Sequence, residues 1–233
     1  MNKIIYLDAA ASALKSDAVI RCEMDFLRHD YANAGRGVCA RAMATDHMVM
    51  AARNRVARFI NGDINGVIFT SGTTDAMNRI VHMVCAMDQF QGHRPVVAVS
   101  DLDHHSARMP WQHLGNIGQC DITVCALNPA FDIDCDKIEA YDVMVITAMS
   151  NVLGQAQDVG EIIRRAREKN PAVITIVDAA QYAAHCPIDV LNWDCDFMCF
   201  SGHKIGADTG LGIMYIKDPE RFPVDKFGGG MVN

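Results

Sequence analysis

The stretch AVITIVDAAQ (172–181) decides the fold. Its first six residues are all apolar or β-branched and run without interruption up to a carboxylate at Asp178. A strand with one face in water alternates polar and apolar positions, whereas a strand covered on both faces reads as a continuous apolar run. Six further short runs have the same character: GVIFT (66–70), PVVAVS (95–100), DITVCA (121–126), DVMVITA (142–148), DFMCF (196–200) and GIMYI (212–216). Amphipathic stretches lie between them, among them DHMVMAARNRVARFI (46–60), TTDAMNRIVHMVCAM (73–87) and VGEIIRRAREKN (159–170). Buried strands separated by helices predict an α/β fold: a mostly parallel central sheet with helices on both faces. With no internal repeat, low-complexity tract or long linker, residues 1–233 read as a single domain.

Composition narrows the function classes. Half of the 233 residues are hydrophobic, enough for a sizeable core. The net charge is −7 and the Lys and Arg residues are scattered, so no basic field for nucleic acid exists. The start, MNKIIYLDAA, carries only a four-residue apolar run, too short for a secretory signal or a membrane span. Nine cysteines, an odd number with no CxxC pair, fit reduced thiols in a cytoplasmic protein. His104 and His105 are adjacent, without the i, i+4 spacing of a metal pair, so no metal site is expected.

In a parallel sheet, ligands bind at the carboxyl ends of the strands. Five of those ends carry chemically capable groups: Thr70-Ser71-Gly72-Thr73-Thr74, Ser100 to His105, Ser150-Asn151, Asp178 to Gln181, and Ser201-Gly202-His203-Lys204. The first opens a helix, where hydroxyls most often serve as caps but free N–H groups also suit a phosphate. Neither the Gly-x-Gly-x-x-Gly nor the Walker-A spacing occurs, which argues against dinucleotides and nucleoside triphosphates. Asp178, at the end of a buried run, is either an anchor for nearby N–H groups or the partner of a protonated heterocyclic nitrogen. Gln181 is close enough in sequence to reach the same ligand. One of the two histidines can stack on a flat ring and offer a titratable nitrogen. Lys204 follows an apolar strand and a Ser-Gly-His turn, where desolvation favours the neutral amine that reacts with aldehydes. Lysine, carboxylate, imidazole and phosphate cup together are the groups that pyridoxal 5′-phosphate requires.

Eight segments in order carry a resemblance to a known family: YLDAAASA (6–13), YANAGRG (31–37), FTSGTTDAMN (69–78), DHHSARMPWQ (103–112), SNVLG (150–154), VDAAQYAAHCPIDV (177–190), DFMCFSGHKIGADTGLGIMY (196–215) and FGGGM (227–231). The chain resembles the class V aminotransferases, fold-type I pyridoxal-phosphate enzymes. Within that group it is most similar to the group II cysteine desulfurases and selenocysteine lyases. The resemblance implies that Lys204 is the covalent anchor of the cofactor, that Asp178 holds the ring nitrogen and Gln181 the ring hydroxyl, and that His104 stacks on the ring and assists proton transfer. It assigns Thr73, Thr74, Ser201 and His203 to the phosphate. Asn151 would sit near the ring oxygen and the substrate carboxylate, and Ala10 and Ala11 would shape the pocket for a cysteine-like amino acid.

The sequence departs from the family pattern at Ala179, Ser71, Gly35 and Asp208, where Gly, Arg, His and Pro are common. Family members are also longer. Residues 1–233 therefore read as the cofactor-binding large domain, lacking the small C-terminal domain with its carboxylate-binding arginine and sulfur-accepting cysteine. A homodimer or a complementing C-terminal segment is the expected partner. Lyase, epimerase and aminotransferase activities, and a non-catalytic module dependent on a partner, are the alternatives.

Overall fold

The computed structural model describes residues 5–35 and 37–227. Arg36 of YANAGRG and all of FGGGM beyond Phe227 lie outside the described residues. Each of the seven apolar runs forms a strand: β1 (Val67–Thr70), β2 (Val96–Val99), β3 (Asp121–Val124), β4 (Val143–Thr147), β5 (Ile174–Asp178), β6 (Phe197–Ser201) and β7 (Gly212–Ile216). They make one sheet in the order β1-β7-β6-β5-β4-β2-β3. The pairs from β3 through β2, β4 and β5 to β6 are parallel. β7 pairs antiparallel with both β6 and β1, so β1 points the same way as β6. Six carboxyl ends consequently share one edge of the sheet.

The helices are α1 (Asp17–Asp25), α2 (Ala40–Phe59), α3 (Thr73–Cys85), α4 (His105–Asn116), α5 (Val159–Lys169) and the short α6 (Val190–Trp193). Strand parity sends alternate side chains to opposite layers. Val97, Val99, Val143, Val145, Ile174 and Ile176 pack with Ala76 and Ile80 of α3 and Trp111 of α4. Met144, Ile146, Val177 and Met198 pack with Ile162 and Ile163 of α5 and with Ile60. Every residue of β4, β5, β6 and β7 is buried, as cover on both faces demands. The sheet and its two helical layers are thus the architecture that the apolar runs predict.

Two features differ from the sequence reading. α2 begins at Ala40, six residues before the expected start at 46, because its first turns, ARAMAT, are mostly small residues that carry no long apolar stripe; only Ala42, Thr45 and Ala57 are buried in it. α4 was not expected, since Pro110 inside it removes an N–H and ordinarily ends a helix. Its buried Ala107 and Trp111 hold it against the sheet nonetheless. All nine cysteines are unpaired. Among the described residues no helix is long and apolar enough to cross a membrane, and no cluster of His, Cys, Asp and Glu is placed to hold a metal.

Candidate active site

The loops at the carboxyl edge enclose a cavity of about 250 Å³. Each loop owes its place to the strand before it. β1 leads into α3 and delivers Thr73 and Thr74; β2 delivers His104; β4 delivers Asn151; β5 delivers Asp178 and Gln181; and β6 delivers Ser201, His203 and Lys204. These nine residues, separated by up to 131 positions in the chain, all line the one cavity. Lys204 can sit there because β6 and β7 are antiparallel neighbours, joined by the Gly202–Leu211 turn without a crossover helix.

At one end of the cavity lies the N-terminus of α3. No hydroxyl of Thr70 to Thr74 caps it, contrary to the more frequent use of such residues: the N-cap is Gly72, and it makes no side-chain cap. Gly72 has φ 148°, which a residue with a Cβ rarely adopts. Asp75 turns back to accept from the Ser71 N–H at 3.0 Å. The Thr73 N–H donates to Ser201 Oγ at 2.8 Å, and the two hydroxyls are also 2.8 Å apart. The end of β6 is thereby fastened to the start of α3, whose first turn lines the cavity at the positive end of the helix dipole.

Asp178 is 4% exposed. Its Oδ1 accepts from the Ala180 N–H at 2.9 Å, and among the described residues no donor meets Oδ2. Burial raises its pKa; the Ala180 N–H and then the positive fields of His104 and Lys204 act against that rise. For Lys204, partial burial lowers the pKa, opposed by Asp178 and Asp8. His203 is lowered by burial, and by the nearby Lys204 and Lys15. The site thus holds a carboxylate short of donors and an amine biased toward its neutral, nucleophilic form.

The N-terminal loop closes the mouth. Lys204 Nζ donates to the Ala10 carbonyl at 2.7 Å, and Gln181 Nε2 donates to the same oxygen at 2.9 Å. The Ala13 N–H donates to the His203 carbonyl at 2.8 Å. Ala11 takes part only through its N–H, which donates to Asp8 O at 3.1 Å within the loop. His104, rather than His105, lines the cavity. Its Nδ1 accepts from the Ser106 N–H at 3.2 Å and lies 2.7 Å from Ser106 Oγ. In the neutral ring this places the proton on Nε2.

Four lining residues were missed by sequence reasoning: Ser106, Thr147, Met149 and Ala180. Thr147 was legible in principle, because β4 and β5 pair in parallel with Thr147 beside Asp178. Equal register puts both side chains on one face.

The aminotransferase class-V family matches residues 5–233. A curated cysteine desulfurase from Enterobacter sp. (strain 638) is 34% identical over 237 residues, which cover 98% of this chain and 57% of the relative. The chain thus spans little more than half the length of such relatives. A cysteine desulfurase structure from Thermococcus onnurineus NA1, in its apo form, superposes with a TM-score of 0.89 at 27% identity, covering 100% of this chain and 58% of that one. The cysteine desulfurase CsdA of Escherichia coli gives 0.77 at 32% identity, covering 91% and 54%. With a family match over nearly its whole length, the chain belongs to the aminotransferase class-V family.

Proposed function

We propose that this chain is the pyridoxal 5′-phosphate-binding portion of a cysteine desulfurase-type enzyme, which converts L-cysteine to L-alanine and passes the sulfur to a thiol. One observation carries the reading: an amine, Lys204, and a donor-poor carboxylate, Asp178, line one cavity with an uncapped helix N-terminus. Similarity to cysteine desulfurases supports the substrate class.

The residues present fit the cofactor. Asp178 Oδ2 is free to accept from a ring N–H, and Gln181 can release Ala10 and donate to a ring hydroxyl. Thr73, Thr74, Ser201 and His203 supply hydroxyls, an imidazole and helix N–H groups for a phosphate. Asn151 is available to a substrate carboxylate, and Ala10 would bound the pocket on the side of Gln181 and Lys204. When bound, pyridoxal 5′-phosphate supplies an aldehyde for amino groups and a protonated ring that draws electrons from the substrate carbon. Lys204 would bring the amine that holds the aldehyde and a base able to carry a proton. Asp178 would accept from the ring N–H and favour its protonated form. His104, with Nδ1 occupied by Ser106, has Nε2 left to face the ring or the departing sulfur. Among the thiols, burial pushes Cys85 up to about 11 and Cys125 and Cys195 up to about 12. These remain protonated at neutral pH and are poor sulfur acceptors.

The setting we propose is cytoplasmic, with a second copy of the chain or a complementing C-terminal segment completing the enzyme. The segment ahead of α2 keeps Leu7, Leu14, Tyr31 and Val38 exposed, which supports such a partner. Adding pyridoxal 5′-phosphate to the purified chain is expected to produce a visible absorbance band that borohydride reduction fixes to Lys204. Retention of that band in Lys204→Ala would overturn the assignment.

A further inference from the structure

We propose that Asp103 is a positioning residue of this site: its carboxylate clasps the His104-bearing turn to the end of β4 and, by engaging the Thr147 hydroxyl, leaves Asp178 open as an acceptor for a protonated ring nitrogen. The proposal rests on the cofactor reading above and deepens it.

Asp103 is buried at 9% exposure, and among the described residues no cation pairs with it. A buried carboxylate without a cation is costly, so its hydrogen bonds indicate what it is kept for. Asp103 Oδ2 accepts from the Ser100 N–H at 2.6 Å and Oδ1 from the Thr147 hydroxyl at 2.7 Å. The turn is closed by the Asp103 N–H on Ser100 O at 3.2 Å and the Leu102 N–H on Ser100 Oγ at 3.2 Å. His104 comes next, and its Nδ1 is fixed from the other side by Ser106. Its backbone is therefore tied to β4 while its ring is tied to α4.

The second consequence concerns Thr147. It stands beside Asp178 in the parallel register, and both line the cavity. A threonine hydroxyl has one proton to give, and Asp103 receives it. Ser100 N–H can only donate, so Asp103 accepts from its two donors through two separate oxygens, which a carboxylate has and an amide has not. With an amide at 103, one oxygen serves Ser100 while the NH₂ faces Thr147. The hydroxyl then becomes an acceptor, and its proton is released beside Asp178.

Three groups bear on Asp103. Burial, and to a lesser degree Asp178 from β5, push its pKa up to about 6, against the Ser100 and Thr147 hydrogen bonds. The Cys125 thiol, beyond β3, is held neutral by its own burial, and His104 is its chain neighbour.

The test uses Asp103→Asn and Thr147→Val in the whole chain, with pyridoxal 5′-phosphate binding read by calorimetry. Both variants are expected to fold, and Asp103→Asn to melt no lower than wild type at pH 8. Cofactor affinity should fall about ten-fold in Asp103→Asn, as expected when a charge-assisted hydrogen bond is lost, and less in Thr147→Val, where the clasp is broken but no hydroxyl is left to donate to Asp178. The difference between wild type and Asp103→Asn should shrink below about pH 6, where Asp103 itself becomes neutral. Wild-type affinity with unchanged pH dependence in both variants overturns the proposal. So does a lowered melting temperature with unchanged affinity, which is the mark of a plain staple. If the wild-type chain binds no cofactor, the functional reading falls. The clasp is then decided on ligand-free protein by the His104 ring resonances: averaged in both variants supports it, and unchanged in both overturns it.

Discussion

At the scale of the residue, the site is a set of opposed charge preferences. Asp178 is a buried carboxylate that would gain from protonation, and Lys204 is an amine that would gain from losing its proton. Binding a cationic ring nitrogen relieves the first, and bonding to an aldehyde relieves the second. Until then both cost stability, which yields a prediction with a definite sign. A carboxylate whose folded pKa lies above its unfolded value adds stability that is complete below the unfolded pKa and lost as pH rises through the folded one. Asp103, raised to about 6, and Asp178, raised in the same direction, both belong to this class. Through these two carboxylates the ligand-free chain should melt at a lower temperature at pH 7.5 than at pH 5, opposed in the same window by His203, whose lowered pKa costs stability as pH falls. Asp178→Asn should melt higher than wild type at pH 7.5 and bind cofactor at least about ten-fold more weakly, a loss of about 1.4 kcal/mol. Thermal melts at the two pH values with a parallel cofactor titration check this; a variant both less stable and undiminished in affinity would sink the account.

At the scale of the element, the turn between β6 and β7 and the start of α3 form one piece. Gly212, the first residue of β7, lies so close to Gly72 that a Cβ on it would meet the Gly72 Cα at 2.4 Å. Backbone cannot yield as a flexible side chain does, so Gly212→Ala must push the α3 N-terminus away from Ser201. The expected loss is about 1–3 kcal/mol in urea denaturation, the usual range for overpacking, together with weaker binding of a phosphate-bearing ligand. Unchanged phosphate affinity would mean that the two elements move together. Such close approaches mark the boundary of what the sequence discloses. The seven strands were legible because cover on both faces leaves an unbroken apolar run, and the strand-end rule then gathered Thr73, His104, Asn151, Asp178 and Lys204. α4 was not legible, since Pro110 reads as a break and only burial of Trp111 overrules it. Nor was the closing of the site by Ala10, whose carbonyl meets side chains 171 and 194 positions away through an oxygen that every residue carries.

At the scale of the whole molecule, the two edges of the sheet divide the work. The carboxyl edge keeps Asp178 and Asp103 without salt-bridge partners among the described residues, and Asp178 lines the cavity. The amino edge is tied by charge. Asp196, just before β6, is 3% exposed and accepts from the Thr175 N–H at 2.9 Å and the Thr175 hydroxyl at 3.0 Å. It also accepts from Arg221 at 2.6 Å, with Arg167 of α5 3.6 Å away. One carboxylate thus joins β5, β6, α5 and the turn after β7. Removing it in Asp196→Ala leaves Arg221 and a buried threonine short of acceptors, while Arg167 keeps the Asp194 carboxylate and carbonyl. Because Arg221 and Arg167 are partly in solvent, the cost should fall below that of a fully buried pair, at about 2–3 kcal/mol. If the edges are independent, the folded variant should still bind pyridoxal 5′-phosphate within about two-fold of wild type, the scatter expected for sites with no shared partners. Denaturation and cofactor titration on the same preparation decide the matter. A large loss of affinity without a matching loss of stability would show that the charges at the amino edge help shape the site at the other.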